Sequence, residues 1–235
     1  MNQSPWQPIS PEKPARPVRE PLSRDRIVDA AMELLLEQGY EAVSMRKVAQ
    51  ALNTGPASLY AHVANKKELD QLLVDRAAAG IIKIHEPDPE RWQEQLKETM
   101  RSMLQMMRAY PGVARAAIGQ VPLGERALES TENMLAILKA GKLPDQAAAW
   151  AVDLIPLYVT AIAFEESVQG GAAWSDEDLV RYIGELRQFF EGLPAAKFPV
   201  TIALASALTS GAQGDERFEF GIQVIVAGLA SLAEN

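Results

Sequence analysis

Two short apolar stripes separated by a turn, between residues 44 and 66, constrain this chain more than any other feature. The turn reads Asn53-Thr54-Gly55-Pro56. Asparagine tolerates a left-handed backbone well, and proline fits the first turn of a helix without losing a hydrogen bond. Two helices packed across such a turn form a helix-turn-helix, whose second helix enters the DNA major groove. The pattern therefore predicts a DNA-binding protein. The apolar positions are Val48, Ala49 and Leu52 before the turn, and Leu59 and Val63 after it.

Helix-boundary signals flank this motif on both sides. Ser23 is a predicted N-cap and Gly39 a predicted end for a preceding helix. After the motif, Asn65 is a predicted N-cap, and Glu68 three residues later completes a capping-box-like pair. This fourth helix is expected to continue to about Ile84. The apolar residues of the first helix follow helical spacing: Ile27, Ala30, Ala31, Leu34 and Leu35.

The order of these segments resembles the DNA-binding domain of the tetracycline-repressor (TetR) family of bacterial regulators, from about Leu22 to Ile84. The matching pieces are, in order, Gly-Tyr, Ser-Met-Arg-Lys-Val-Ala, the turn, Ser-Leu-Tyr-Ala-His-Val and Asn-Lys-Lys-Glu-Leu. Residues 158–166 and 218–229 are similar to two long helices that, in the tetracycline-repressor subgroup, pair with the dimer mate as a four-helix bundle. The resemblance implies a homodimer that binds a palindromic operator on double-stranded DNA and responds to a small-molecule effector.

Charge is distributed unevenly along the chain. Residues 1–70 contain nine Lys/Arg and nine Asp/Glu, whereas residues 71–235 contain 14 and 22, so the whole net charge of −8 lies in the second part. A neutral head on an acidic body argues against non-specific coating of nucleic acid. The chain has no cysteine, no run of 18 apolar residues and no apolar centre of a signal peptide near its start. We expect a cytoplasmic protein that does not contact a membrane.

The predicted fold is all-α, with a helix-turn-helix domain at residues 22–66 and a helical ligand-binding and dimerisation domain at 67–235. Residues 65–84 form the connecting helix. Residues 1–21 carry prolines at a spacing of three and are predicted to be a disordered arm. Two alternatives for the arm stay open: recognition by a partner with aromatic grooves, or contact of Arg16, Arg19 and Arg24 with DNA.

The resemblance also assigns roles in DNA binding. Arg46, which begins the first motif helix with Lys47, is at a place where the family commonly reads a guanine, and a bidentate contact supplies that chemistry. Ala57 and Ser58 lie early in the second helix, where side chains meet base edges. His62 could instead be a half-buried residue that closes the head core. The positions that match phosphate-binding residues are Tyr60, His62 and Lys66.

The two C-terminal segments predict a dimer interface because they are too apolar to face water and contain small residues. The alternative is that they are internal core helices. The predicted interface residues are Ala161, Gly221, Val224 and Gly228.

Methionines crowd residues 100–107, and aromatic residues follow on the long apolar helix from about Asp145. Such stripes are often plain core, but together they fit an adaptable apolar pocket. Where tetracycline repressors contact drug and magnesium, this chain has Ile82, Thr99 and Ala117. A more apolar or planar ligand than tetracycline–magnesium is therefore expected, with no metal or cofactor. The predicted ligand-binding residues are Thr99, Met103, Met107, Gln120, Trp150, Tyr158, Phe164 and Glu165.

Nothing in the sequence predicts catalysis. There are two histidines, His62 and His85, and neither an HExxH, a GxSxG nor a glycine-rich phosphate loop is present. The rival interpretation is a helical protein-interaction adaptor that uses the proline-rich arm.

Overall fold

The computed structural model describes residues 21–121, 123–171, 175–210 and 215–233, and within these ranges the chain is helical without strands. The predicted all-α fold is confirmed. The predictions for the proline-rich arm, including Arg16 and Arg19, lie outside the described residues.

Among the described residues, three helices form the head, a fourth connects the head to the body, and eight form the body. A 3-10 turn, Tyr40–Ala42, separates the first two helices of the head. The head helices are α1 (Arg24–Gln38), α2 (Met45–Ala51) and α3 (Pro56–Leu59), and the connecting helix is α4 (Lys66–Ala78). The body helices are α5 (Trp92–Ala109), α6 (Val113–Ala117), α7 (Glu125–Ala140), α8 (Asp145–Gly171), α9 (Asp176–Glu191), α10 (Pro199–Ala203), α11 (Ala205–Leu208) and α12 (Glu216–Ala230).

Local chemistry sets the helix boundaries of the head as the sequence predicts. The Ser23 hydroxyl accepts a hydrogen bond from the Arg26 amide, and Gly39 ends α1 with a left-handed φ of 78°. Asn53, in the turn between α2 and α3, has a φ of 51°. Pro56 occupies the first turn of α3. The turn therefore uses asparagine where a left-handed residue is required.

Helix α4 differs from its predicted form at both ends. Asn65 caps it as expected, accepting from the Glu68 amide, but the Glu68 carboxylate accepts from the amide of Ala64 and not from that of Asn65. The helix ends at Ala78 and not near Ile84. Gly80 then adopts a left-handed φ of 77°, which turns the chain away from the helix axis.

Helix α5 lies at the centre of the body and packs against α7, α8 and α12. Two arginines of α5 fix this arrangement. Arg101 makes a bidentate pair with Glu219 of α12, at 2.8 and 2.9 Å, and these hydrogen bonds raise the pKa of Arg101. Arg108 binds Glu166 of α8 and Asp215 next to α12. The C-terminal helices are therefore tied to the same surface of α5.

Helix α8 is long and apolar enough, over Asp145–Val168, to pass as a membrane span by length and composition alone. In this fold, however, Ile155 and Val159 are fully buried against the body core. Other apolar residues of the same helix are exposed, so the high hydropathy has two origins: a core-facing side and an outer side. The exposed ones are Trp150, Leu154, Leu157 and Val168.

Candidate DNA-binding surface and ligand cavity

The predicted base-reading residues all lie on the outer surface of the two motif helices. Arg46 and Lys47 are exposed on α2, and Ala57 and Ser58 are exposed on α3. Tyr60, which follows α3, is 53% exposed. In the described part of the chain, none of their side chains forms a hydrogen bond or an ion pair, so their polar groups are available to a partner.

Lys66 and His62 are placed differently, because both are half-buried. The Lys66 ammonium pairs with the buried carboxylate of Asp70 and lies 4.2 Å from the ring centroid of Tyr40. The Tyr40 hydroxyl donates to Asp70 at 3.0 Å. Burial, followed by the charge of Asp70, raises the pKa of Tyr40 to about 12. Lys66 therefore also holds the start of α4 to the head, a role that the sequence did not reveal.

Helix α4 is anchored to α1 on its head side. The Arg76 guanidinium pairs with Asp29 and, at 2.7 Å, with Asp25, both on α1. Leu69 and Leu73 are fully buried in the core between the helices. A movement of α4 must therefore move α1 or break these contacts.

On its other side α4 is bonded to the start of α7. The Asp75 carboxylate accepts from the amides of Arg126, at 2.8 Å, and Ala127, at 3.2 Å, which are unpaired donors of the first helical turn. A methyl group added to Gly124 would overlap Asp75. The side-chain amide of Gln71 donates a hydrogen bond to the Val121 carbonyl at 3.2 Å. These contacts join α4 to the segment before α7.

A cavity of about 570 Å³ lies between α4, α5, α7, α8 and the residues 117–121 and 124. This volume is in the range of sites for drug-sized ligands. Its lining is mainly apolar and includes four methionine thioethers, Met103, Met106, Met107 and Met134. Pro156, which lies inside α8, is also part of the wall.

A few polar groups interrupt this apolar lining, among them Gln120, Ser130, Asp153 and Thr160. The Oε1 atom of Gln120 is buried and has no hydrogen-bond partner among the described residues. Asp153 is the single charged residue in the lining that the structure describes.

Of the eight predicted ligand-binding residues, Met103, Met107 and Gln120 line the cavity. The other five lie outside its lining for identifiable reasons. Thr99 is buried and donates to the Gln95 carbonyl, and Trp150 is 69% exposed. Tyr158 stacks on Phe218 of α12 with ring centroids 5.8 Å apart, Phe164 lies near Arg115, and Glu165 pairs with Arg217.

The four predicted interface residues lie in different environments: one packs inside the chain and three are exposed. Gly221 faces Tyr158 of the same chain, so its lack of a side chain serves the packing of α12 on α8. Val224 and Gly228 are exposed on α12, and a methyl group on Gly228 would meet open space. Ala161 is exposed on α8 and lines the cavity.

Comparison with known proteins assigns both parts of the chain to a family. Residues 27–71 match the tetR family of bacterial regulatory proteins, and residues 86–233 match the tetracyclin repressor-like C-terminal domain. The TetR family protein ActR of Streptomyces coelicolor, in complex with actinorhodin, is 40% identical. It superposes with a TM-score of 0.82 over 92% of this chain and 98% of its own.

Two curated relatives agree with this assignment. The HTH-type transcriptional repressor DrrR1 of Streptomyces coeruleorubidus is 28% identical over 94% of this chain and 82% of its own length. The class D tetracycline repressor protein of Escherichia coli is 24% identical over 88% of each. The chain belongs to the TetR family and is a ligand-responsive transcriptional regulator.

Proposed function

We propose that the protein binds a palindromic operator as a homodimer in the cytoplasm and that a small, largely apolar molecule in the cavity lowers its operator affinity. The observation that carries this proposal is the double attachment of α4. The same helix pairs with α1 of the DNA-binding head through Arg76 and forms a wall of the cavity through Val74 and Ala78.

In DNA recognition, Arg46 is the residue with the chemistry for a bidentate contact to guanine O6 and N7. Lys47 beside it suits a phosphate, and Ala57 can contact a thymine methyl. Ser58 can pair with several bases, whereas Tyr60, His62 and Lys66 are assigned to phosphate contacts. In each head the proposed base contacts are made by Ala57 and Ser58 on α3 and by Arg46 on α2. Two heads related by a two-fold axis would make the same contacts with both half-sites of a palindrome.

A second copy of the chain is the partner best suited to the outer sides of α8 and α12. On α8, Trp150, Leu154, Leu157 and Ala161 are exposed at helical spacing and form one stripe. On α12, Phe220 is 70% exposed and Val224 is 54% exposed, with Gly228 two turns beyond Phe220. Burying these stripes against their symmetry mates would remove a large apolar surface from water.

The response to a ligand requires that it favour one arrangement of the heads, because a ligand shifts an equilibrium only through differential affinity. A molecule in the cavity displaces α4, residues 117–121 or both. The hydrogen bonds of Asp75 and Gln71 transmit that displacement between them. A hundredfold drop in operator affinity corresponds to a coupling of roughly 2.7 kcal/mol, which is in the usual allosteric range.

The relatives support this proposal. ActR has been crystallised with actinorhodin, and DrrR1 is named a repressor. We therefore favour repression with release by an effector over activation. A non-enzymatic role is consistent with the family and with the cavity, whose polar groups are few.

The test begins with selection of an operator from random DNA, followed by fluorescence anisotropy with the selected duplex. Arg46→Ala should cost roughly 1–3 kcal/mol and relax the preference at one base position, and Lys47→Ala should weaken binding evenly and reduce the salt slope by about one. Lys142→Ala, which removes an exposed charge between α7 and α8, is the control and should bind like wild type. Wild-type binding by both head variants would contradict the assignment. Lys66 is a poorer probe, since its removal leaves the buried Asp70 carboxylate without its cation.

A further inference from the structure

The cavity contains a polar group that the protein itself leaves unpaired. The Gln120 Oε1 atom is buried without a partner. Either orientation of this amide leaves one polar group unsatisfied, which is costly in a site that is apolar elsewhere. The buried residues Ser130 and Thr160 add two hydroxyls to the lining. A ligand that donates a hydrogen bond to Gln120 would remove the cost of its unpaired oxygen.

The described lining of the cavity carries a negative charge and no positive charge. Asp153 belongs to the lining and is exposed in the single chain, so its carboxylate lies at the edge of the cavity wall, beside the α8 stripe that the proposed dimer covers. In the described chain it forms neither a hydrogen bond nor an ion pair. Its neighbours Val152 and Pro156 on α8 also line the cavity, and no lysine, arginine or histidine is among the described lining residues. An anionic ligand would therefore meet a carboxylate and no compensating cation.

The net charge of the body also disfavours anionic ligands. Residues 71–235 carry 14 Lys/Arg against 22 Asp/Glu, so the body has a net charge of −8. A negative body lowers the local concentration of anions and raises that of cations. Inside, the four methionine thioethers favour contact with aromatic rings.

We propose that the cavity selects an aromatic amphiphile that is neutral or cationic and carries hydrogen-bond donors, and that it discriminates against carboxylate-bearing molecules. The ring system lies among Met103, Met106, Met107 and Met134, an amino or hydroxyl group faces Asp153, and a ring hydroxyl reaches Gln120. This inference rests on the proposed function, because it specifies the effector of that same cavity.

The charge preference is tested with three anthraquinones that differ in one substituent: aminomethyl, hydroxymethyl or carboxylate. Isothermal titration calorimetry with the full chain at neutral pH should give affinities in that descending order, with the aminomethyl probe about tenfold tighter than the carboxylate. Asp153→Asn should reduce this ratio to near one. Asp145→Asn is the matched control, since it removes an exposed aspartate from the first turn of the same helix and should leave the ratio unchanged.

The role of Gln120 is tested with a pair of ligands: the aminomethyl anthraquinone with and without a hydroxyl on its far ring. In wild type the hydroxyl should improve affinity about fivefold, as expected for one hydrogen bond to a group that is otherwise unsatisfied. Gln120→Met keeps a similar volume without the amide and should abolish the gain. Circular dichroism melting curves check that each variant is folded.

The carboxylate probe binding as tightly as the aminomethyl probe, or a ratio unaffected by Asp153→Asn, would overturn the inference. Binding by none of the three probes would overturn it as well. These outcomes leave the proposed function standing, because operator binding and its dependence on Arg46 are measured without any ligand. Loss of operator binding in the wild-type chain would instead refute the function.

Discussion

The contact between Asp75 and the start of α7 gives the sharpest prediction about how the two halves of the molecule are joined. In Asp75→Ala the amides of Arg126 and Ala127 lose their acceptor, and a negative charge leaves the N-terminus of α7. Loss of an N-cap side chain costs roughly 0.5–2 kcal/mol, and loss of a charge at this end costs about 0.3–1 kcal/mol. We expect a destabilisation of about 1–2 kcal/mol. For a chain of this size, that lowers Tm by roughly 2–8 °C.

The measurement is a thermal melt at fixed protein concentration, combined with native-state hydrogen exchange. Exchange of the Arg126 and Ala127 amides should accelerate by more than that of α5 amides, because the lost bonds are local. The control is Glu37→Ala, which removes an exposed carboxylate from α1 and should melt like wild type. Since the same contact joins α4 to the cavity wall, the effect of an effector on operator affinity should also shrink. An unchanged Tm with unchanged exchange at these two amides would refute the reasoning.

Three further predictions concern α12 and the head. Gly221→Ala places a methyl group where the Tyr158 hydroxyl lies, so we expect destabilisation of about 1–3 kcal/mol by denaturant unfolding. Gly184→Ala on α9 is the control, because its methyl meets open space and should stabilise the helix by roughly 0.5–1 kcal/mol. Gly228→Arg should leave the fold intact but shift sedimentation from dimer towards monomer, and an unchanged dimer would move the interface elsewhere. The Tyr40 phenol, next to Asp70 with a folded pKa of about 12 against 10.0 unfolded, should ionise well above pH 10 in an absorbance titration, and the difference from the Tyr40→Phe titration isolates its contribution. Because the folded pKa is raised, this group's contribution to stability is complete below pH 10 and is lost as the pH rises towards 12, and Tyr40→Phe should remove that part of the alkaline dependence.

The helix boundaries of the head were predictable because residues close to them in sequence set them. Ser23, Asn53, Pro56 and Asn65 act within a few residues of their own position, and the structure confirms each of them. The end of α4 was not predictable in this way. After Gly80 the Lys83 amide binds the hydroxyl of Ser102 on α5, a partner 19 residues away in sequence.

The cavity lining on α8 was harder to predict, because this helix is apolar on nearly every side. Periodicity cannot then show which residues face a cavity, a neighbouring helix or a partner subunit. Trp150 points outward and Tyr158 towards α12, whereas Val152 and Thr160 reach the cavity. Asp153 was missed because a lone acidic residue on an apolar helix gives no signal until its neighbours are placed.

The double attachment of α4 sets a rule for building hybrid regulators that join the head of one family member to the body of another. A junction at the boundary between residues 66 and 67 would separate Lys66 from Asp70 and would set Arg76 against a foreign α1. A junction beyond Ala78 would instead set Gln71 against a foreign residue at position 121 and Asp75 against a foreign α7. Neither cut leaves the interface intact, so a working hybrid must graft α4 as a mosaic. Its residues that face α1 should come from the head donor, and those that face α7 from the body donor.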